Sequence, residues 1–484
     1  MSPKTLALLQ LRQLTRGLTG AASRSFVTTA KCARASRTEN SLISRLLDTT
    51  ELNDSNEIGK VRKKNGNSVK GYNINKFNKH NPTTLETTEP ASALVEYDKT
   101  TLQYPQRDDL NLPHYYLRDL CKCVQCVDPH SKQRSFRTND IPEDIYPREV
   151  KWDGEDLQVS WKNDIPGYNE EHVSRWNWRD LAAPAWDTHD HTSWDMAPLK
   201  WSSDIMHKLQ HWVSYEDYMN DDAKFASAMR NIQRLGLLFV KDIPKSREMV
   251  EKIATRMGPL RNSFYGSTWD VRTVPEAKNV AYTNQFLGFH MDLMYMNEPP
   301  AYQLLHCLEN SCDGGESLFA DSFYAAQLMK THCLTEFKTL TRTQLSYEYV
   351  HEDQTYYNTW PVIELNEKTK EVHRVNYSPP FQSALPGGGK GVESFALMKR
   401  ALDLFTSQIE SQSSVYQLKL KPGECVIFAN RRIVHARNQF STATGSRWLA
   451  GAYVDEDAVL SRFAVSRKKN PAEWIMNDPF NSSH

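Results

Sequence analysis

The chain has 484 residues, enough for two or three domains with a sizeable core. Lysine and arginine number 59 and are matched by 59 aspartates and glutamates, so no global field draws the chain to nucleic acid or to an anionic membrane. Aromatic residues make up 11%, with 12 Trp and 21 Tyr, which argues against a disordered scaffold, and no apolar run reaches the roughly 18 residues that span a bilayer.

Residues 1–40 differ in kind from the rest. No acidic residue precedes Glu39, while Arg12, Arg16, Arg24, Arg34 and Arg37 are spread among Leu, Ala, Ser and Thr. That composition predicts a mitochondrial presequence and hence a matrix location; it lacks the single apolar block of a secretory signal. A basic disordered tail is the alternative. Residues 41–95, with "KKNGNSVKGYNINKFNKHNPTT", read as a polar linker.

Of the eight cysteines, Cys121, Cys123 and Cys126 fall within "LCKCVQC". A reducing matrix keeps thiols free, so no disulfide framework is expected. Cys-x-Cys-x2-Cys supplies three thiolates, and a fourth ligand would close a tetrahedral structural zinc site; His172 in "NEEHVS" is the best placed. Between them "EVKWDGEDLQVSW" predicts two short strands joined at Asp153–Gly154. A zinc-binding, β-rich domain is expected over 96–185.

Farther on, "SYEDYMNDDAKFASAMRNIQRLGLLFVKDIP" shows helical spacing, then Gly236, then a buried strand Leu237–Val240. "SREMVEKIATRMG" predicts a second helix with Ser246 as N-cap and Gly258 as its stop. From "AYQLLHCLEN" onward the pattern is β: "GESLFADSF", "TQLSYEYVHED", "WPVIEL" and "VHRVNYS". "VYQLKLKPGECVIFANRRIVHAR" alternates around a turn at Lys421–Glu424, which predicts a late hairpin. Many short strands preceded by helices give a fold class mainly β with flanking helices (α+β), a jelly-roll or barrel core with helical buttresses.

Within this region "GFHMDL" places His290 and Asp292 two apart, on one face if the run is a strand. A buried carboxylate is costly unless it is paired or bound to metal. With His435 of "RRIVHAR" the set becomes two histidines and one carboxylate, the facial triad that leaves open positions on Fe(II). Twelve residues later Arg447 could pair bidentately with a dicarboxylate lying across the metal.

From about Tyr115 onward the chain resembles the γ-butyrobetaine dioxygenase and trimethyllysine dioxygenase family of Fe(II)- and 2-oxoglutarate-dependent hydroxylases, closer to the butyrobetaine branch. "YLRDLCKCVQC", "FYGSTWDV", "NVAYTNQFLGFHMDL", "CDGGESLFADSFYAA", "KPGECVIFANRRIVHAR" and "RWLAGAYVDED" carry the resemblance. It implies a double-stranded β-helix (jelly-roll) oxygenase domain over 205–475, iron on His290, Asp292 and His435, 2-oxoglutarate on Arg447, and zinc on Cys121, Cys123, Cys126 and His172. It implies an aromatic cage for a trimethylammonium substrate from Tyr265, Trp269, Tyr282 and Tyr453, with Asn279 as a carboxylate contact. Ascorbate as reductant, O2 as co-reactant, a role in carnitine biosynthesis and a homodimer follow from the same source. The chain departs from the family in Met291 for a common Thr, in Ala429 and Ala436 for Asp and Gly, and in Ser378–Pro379 where butyrobetaine enzymes have Asn-Asn. Hydroxylation of γ-butyrobetaine to carnitine is the expected activity; trimethyllysine or another quaternary ammonium substrate is the alternative, and a non-catalytic, zinc-stabilised binding protein the rival from another class.

Overall fold

The computed structural model describes residues 92–103, 108–182, 197–272, 283–385 and 395–474. The presequence, most of the linker, Asn279 and Tyr282 lie outside the described residues. The described chain forms two compact units, within 92–182 and 197–474. No described helix is long and apolar enough to cross a membrane.

In the first unit β1 (Ser92–Val95), β2 (Lys99–Gln103) and β3 (Leu110–Pro113) make one antiparallel sheet. A short helix, His114–Asp119, follows. A second antiparallel sheet contains β4 (Pro147–Trp152), β5 (Asp156–Trp161) and β6 (Val173–Asn177). The turn expected at Asp153–Gly154 joins β4 to β5, and the Asp153 carboxylate accepts from the N–H groups of Glu155 (2.9 Å) and Asp156 (2.7 Å). Leu157, Val159 and Trp161 alternate along β5 into a core shared with Leu102, Leu117 and Trp176.

The second unit begins with helix Ser203–Leu209, β7 (Trp212–Ser214) and helix Tyr215–Asn220. Helix Asp222–Leu235 follows, capped by the Asp221 carboxylate on the N–H groups of Ala223 and Lys224. It buries Phe225, Met229, Ile232 and Leu235, then delivers β8 (Leu237–Lys241), buried up to its last residue. Helix Met249–Met257 stops at Gly258, as expected, and the position needs a glycine because a Cβ there would lie 2.5 Å from that of Ala458. Ser246 is not its cap. The cap position is Glu248, and the Ser246 hydroxyl accepts from the Glu248 N–H at 3.4 Å, ahead of the helix.

Twelve further strands follow: β9 (Thr268–Val271), β10 (Leu287–His290), β11 (Tyr302–Asn310), β12 (Ser317–Asp321), β13 (Gln344–Val350), β14 (Thr355–Pro361), β15 (Ile363–Leu365), β16 (Val372–Val375), β17 (Tyr416–Leu418), β18 (Cys425–Ala429), β19 (Ile433–Arg437) and β20 (Arg447–Val454). One sheet has the order β7-β8-β18-β11-β20-β9 and the other β10-β19-β12-β17. Pairs within both are antiparallel except β7–β8. From β10 to β12, and again from β17 to β20, each successive strand changes sheet.

This overturns the expected late hairpin. The Lys421–Glu424 turn exists, with a 3.0 Å bond from the Glu424 N–H to the Lys421 carbonyl, but β17 pairs with β12 while β18 pairs with β8 and β11. His435 likewise sits on β19 in the four-stranded sheet and not on a hairpin partner of β18. Alternation reports burial of one strand face, which a strand crossing between sheets shares with a hairpin strand.

Phe319 of β12 and Phe428 of β18 meet between the sheets, ring centroids 5.6 Å apart, among Cys307, Val426 and Leu449. Helices Asp222–Leu235, Met249–Met257 and Glu456–Lys469 cover the other face of the six-stranded sheet through Met229, Ile253 and Phe463. Leu318, Ala320, Val434 and Ala436 pack the outer face of the four-stranded sheet against helices Ser322–His332, Leu334–Leu340 and Phe395–Ile409. The corner before β19 is fixed by Arg432, whose Nε and terminal nitrogen fork onto the two oxygens of buried Asp321 at 3.1 and 2.7 Å.

Candidate active site and a second candidate metal centre

His290, the last residue of β10, stands directly opposite His435 of β19 in the antiparallel ladder. The imidazole centroids are 4.1 Å apart. Asp292 is not on β10: the strand ends at His290, and Asp292 stands in the turn beyond it, where Leu293 takes φ +59°. The shared-strand-face expectation for His290 and Asp292 therefore fails as local structure. The side chains converge all the same. Asp292 Oδ1 lies 3.3 Å from His290 Nε2 and 3.8 Å from His435 Nε2, and one ligand atom from each residue falls within 4.8 Å of the others.

The electrostatics suit a cation. His290 Nδ1 is 2.9 Å from the Gly288 carbonyl, which can only accept, so the proton sits on Nδ1 and the Nε2 lone pair faces the site. Burial, with His290 close by, lowers His435 to about 3 and keeps it neutral at neutral pH. Burial alone would raise Asp292, but the adjoining imidazoles of His290 and His435 and the hydrogen bond from the Tyr453 hydroxyl hold its carboxyl well below the usual range. Tyr453 donates to Asp292 Oδ2 at 2.6 Å, leaving Oδ1 toward the two histidines.

These groups line one cavity with Tyr265, Trp269, Tyr295, Gln303, Ser317, Phe381, Arg437 and Arg447. Arg447 opens β20 and is 8% exposed; no carboxylate of a described residue pairs with it, and its Nε has no partner. Burial lowers the guanidinium to about 10, so it stays charged at neutral pH. A buried, unpaired cation is costly, and an anionic ligand would remove that penalty. Arg447, Leu449, Gly451 and Tyr453 alternate along one face of β20, and Arg447, Leu449 and Tyr453 line the cavity together with the three metal-binding side chains.

The expected cage is brought together in part. Trp269 and Tyr453 stack, centroids 4.0 Å apart at 29°, and so form one composite wall instead of two opposed ones. Tyr265 lines the same cavity. Of the departures, Met291 is buried in the core outside the cavity lining, and the buried Ser378 hydroxyl has no partner.

Sequence reasoning missed Gln303, Tyr295, Arg437 and Asn430. Gln303 is 3% exposed, its Oε1 has no partner, and a lone amide on the inward face Gln303–Leu305–Cys307 of β11 was the signal that could have found it. Tyr295, 1% exposed, lines the same cavity. Asn430 bonds the Asp292 backbone, a role no spacing announces.

In the first unit, Cys121, Cys123, Cys126 and His172 form a second cluster of ligand atoms within 4.8 Å of one another. His172 Nε2 is 3.5 Å from Cys121 Sγ and 3.4 Å from Cys126 Sγ, close to the roughly 3.5 Å between ligands on a tetrahedral zinc. Its Nδ1 meets Asp164 Oδ2 at 2.5 Å, and Asp164 Oδ1 accepts from fully buried Arg118 at 2.5 Å. Burial opposes protonation of His172, but Asp164 and the Cys121 sulfur raise it to about 9. A hydrogen bond from Cys126 pulls the Cys121 thiol well below its ordinary value despite burial. The donor set fits zinc and the carboxylate–histidine support common behind it.

The sequence profile of the taurine catabolism dioxygenase TauD, TfdA family matches residues 203–453, just over half of the chain, and that of the gamma-butyrobetaine hydroxylase-like N-terminal region matches residues 95–181. Dioxygenase str8 of Strobilurus tenacellus is 32% identical over 372 residues, covering 73% of this chain and 85% of its own. Gamma-butyrobetaine dioxygenase of Homo sapiens is 27% identical over 372 residues, covering 76% and 94%. Mitochondrial trimethyllysine dioxygenase of Rattus norvegicus is 25% identical over 412 residues, covering 82% and 94%. The chain belongs to the TauD/TfdA family and is a 2-oxoglutarate-dependent dioxygenase.

Proposed function

We propose that this dioxygenase hydroxylates a trimethylammonium substrate, γ-butyrobetaine first among them, giving carnitine. The observation that carries the reading is the convergence of two imidazoles, one carboxylate and one buried guanidinium without a carboxylate partner among the described residues on a single cavity. His290, Asp292 and His435 would hold Fe(II), and Arg447 the far carboxylate of 2-oxoglutarate. Iron held there would activate O2, the oxidant, so that one oxygen atom goes into succinate as 2-oxoglutarate loses CO2 and the other into the hydroxylated C–H bond. The protein's own work is placement. Tyr453 fixes which Asp292 oxygen faces the histidines, and the Gly288 carbonyl fixes the tautomer of His290. The Trp269–Tyr453 wall, with Tyr265, offers aromatic faces to a cation that cannot donate hydrogen bonds. Tyr282 and Asn279 complete the proposed contacts from outside the described residues.

We read the two facing sheets as a double-stranded β-helix over 205–475 and the first unit as a zinc domain over 96–185, with zinc on Cys121, Cys123, Cys126 and His172. The composition of residues 1–40, Arg-bearing and without an acidic residue before Glu39, and the mitochondrial relative support a matrix location. Ascorbate as reductant and a homodimer follow from the family resemblance.

A second reading, trimethyllysine or another quaternary ammonium substrate, is favoured by Ser378–Pro379: the family resemblance expects a pair of amides there for the butyrobetaine carboxylate, and this chain has instead one buried hydroxyl with no partner among the described residues. The test is turnover by purified full chain with Fe(II), ascorbate and 2-oxoglutarate, offering each substrate separately and following succinate and hydroxylated product by mass spectrometry. Hydroxybutyrobetaine is expected; hydroxytrimethyllysine alone would reassign the substrate. Succinate with neither product would refute both named substrates, keep the oxygenase and point to another substrate. Asp292→Ala should abolish product in every case.

A further inference from the structure

We infer that Asn430 is the positioning residue that holds Asp292 in place for the metal; the inference rests on the reading of Asp292 as an iron ligand. The need for such a residue comes from where β10 stops. His290 is the last ladder residue, and the Met291 N–H bonds sideways to the Tyr377 carbonyl at 2.9 Å. The Asp292 peptide groups are therefore past the end of the sheet, in a turn where Leu293 sits at φ +59°. A β-strand ladder gives no fixed direction to a carboxylate there, and a left-handed non-glycine residue persists only when its surroundings hold it.

Asn430 supplies what the ladder does not. It is 0% exposed and lies 138 residues downstream, at the corner between β18 and β19. Its Oδ1 accepts from the Asp292 N–H at 2.8 Å, and its Nδ2 donates to the Asp292 carbonyl at 2.9 Å. This is the two-bond exchange of an antiparallel pair, made by a side chain. The second Nδ2 hydrogen goes to the Pro300 carbonyl at 3.0 Å, and the Asn430 main-chain N–H goes to the Ala301 carbonyl at 2.7 Å. One residue thus joins the Asp292 turn to the segment entering β11 and to the strand that carries His435, five positions on. Tyr453 orients the carboxylate, and Asn430 anchors the peptide from which it hangs.

The chemistry is specific to an amide. Aspartate at 430 would retain the acceptor and lose both donors, and alanine would lose all three side-chain bonds. Groups that orient a metal ligand from behind typically alter metal affinity about 10- to 100-fold when removed.

The experiment is titration of the zinc-loaded full chain with Mn(II), a hard ion that the thiolate cluster does not favour, with unbound Mn(II) read by electron paramagnetic resonance. Four variants are compared: Asp292→Ala, Asn430→Ala, Asn430→Asp, and Leu304→Ala, a core truncation on the helix-covered side of the six-stranded sheet. Melting temperatures without Mn(II) accompany each titration. Expected are loss of binding in Asp292→Ala, affinity about 10- to 100-fold weaker in both Asn430 variants, and unchanged affinity in Leu304→Ala despite its lower melting temperature. Should Asn430→Ala not fold, Asn430→Asp gives the same readout. Unchanged Mn(II) affinity in the Asn430 variants, or an equal loss in Leu304→Ala, overturns the positioning role. Normal binding by Asp292→Ala instead overturns the ligand assignment on which it rests.

Discussion

Gly451 shapes the candidate site by having no side chain. It lies opposite Trp269 where β20 pairs with β9, and a Cβ on it would come 2.4 Å from indole Cε2 and 2.6 Å from Cζ2 and Nε1. The ring can lie over the strand and stack on Tyr453 only because nothing rises beneath it. Gly451→Ala should displace the indole from that stack while leaving the histidines, Asp292 and Arg447 in place. The expected outcome is a KM for the ammonium substrate raised on the order of tenfold, about the 1–2 kcal/mol of one cation–π face, with 2-oxoglutarate affinity unchanged. Steady-state kinetics with a separate 2-oxoglutarate titration would decide it; an equal loss for both ligands would point to a general distortion. At this scale the sequence identified the chemistry well. "GFHMDL", the distant His435 and the following Arg447 were readable as residue types at their spacing. What could not be read was contact: that Trp269 and Tyr453 touch, that the Tyr453 hydroxyl is taken by Asp292, and that Asn430 answers a turn in a segment resembling a strand.

Individual strands tell a different story about legibility. β8, β11, β12 and β19 were visible as apolar or alternating runs, but partners were not, since period-two burial is the same whether a strand turns back or crosses to the facing sheet. Polar residues within such strands carry the consequences. His306 lies in β11 on the helix-covered side of the sheet, fully buried, with neither ring nitrogen hydrogen-bonded. Burial lowers it from 6.5 to about 4. The unfolded chain therefore binds a proton between those values that the folded chain refuses, so stability falls as the pH drops from above 6.5 toward 4. By pH 5 the loss should be on the order of 2 kcal/mol. His306→Leu, close in volume and unable to titrate, should flatten this dependence. Urea midpoints for both proteins at pH 7.5 and pH 5 test it: equal shifts in the two would exclude His306 as the source.

The whole molecule holds two clusters of metal-binding groups with opposite designs. In the second unit two imidazoles and one carboxylate would leave coordination positions open, on a cavity wall that also carries Arg447, with which no carboxylate of a described residue pairs. In the first unit three thiols and an imidazole make a four-donor set, enough to close a tetrahedron, with Asp164 and buried Arg118 behind the histidine. An open set invites chemistry; a closed one contributes folding energy. The small core around Leu157, Val159, Trp161 and Trp176 is where that energy would matter, and a structural zinc supplies on the order of 10 kcal/mol in small domains. Removal of zinc by a strong chelator at neutral pH should therefore unfold residues 92–182, shift the fluorescence of Trp152, Trp161 and Trp176, and expose Cys121, Cys123 and Cys126 to thiol reagents. Asp164→Ala should release zinc about 10- to 100-fold more readily, because His172 would lose the partner that fixes its tautomer. The chelator-dependent exposure of three thiols is the decisive reading. If those thiols react equally before and after chelation, no metal holds them, and the first unit must draw its stability from its apolar core and the Arg118–Asp164–His172 chain alone.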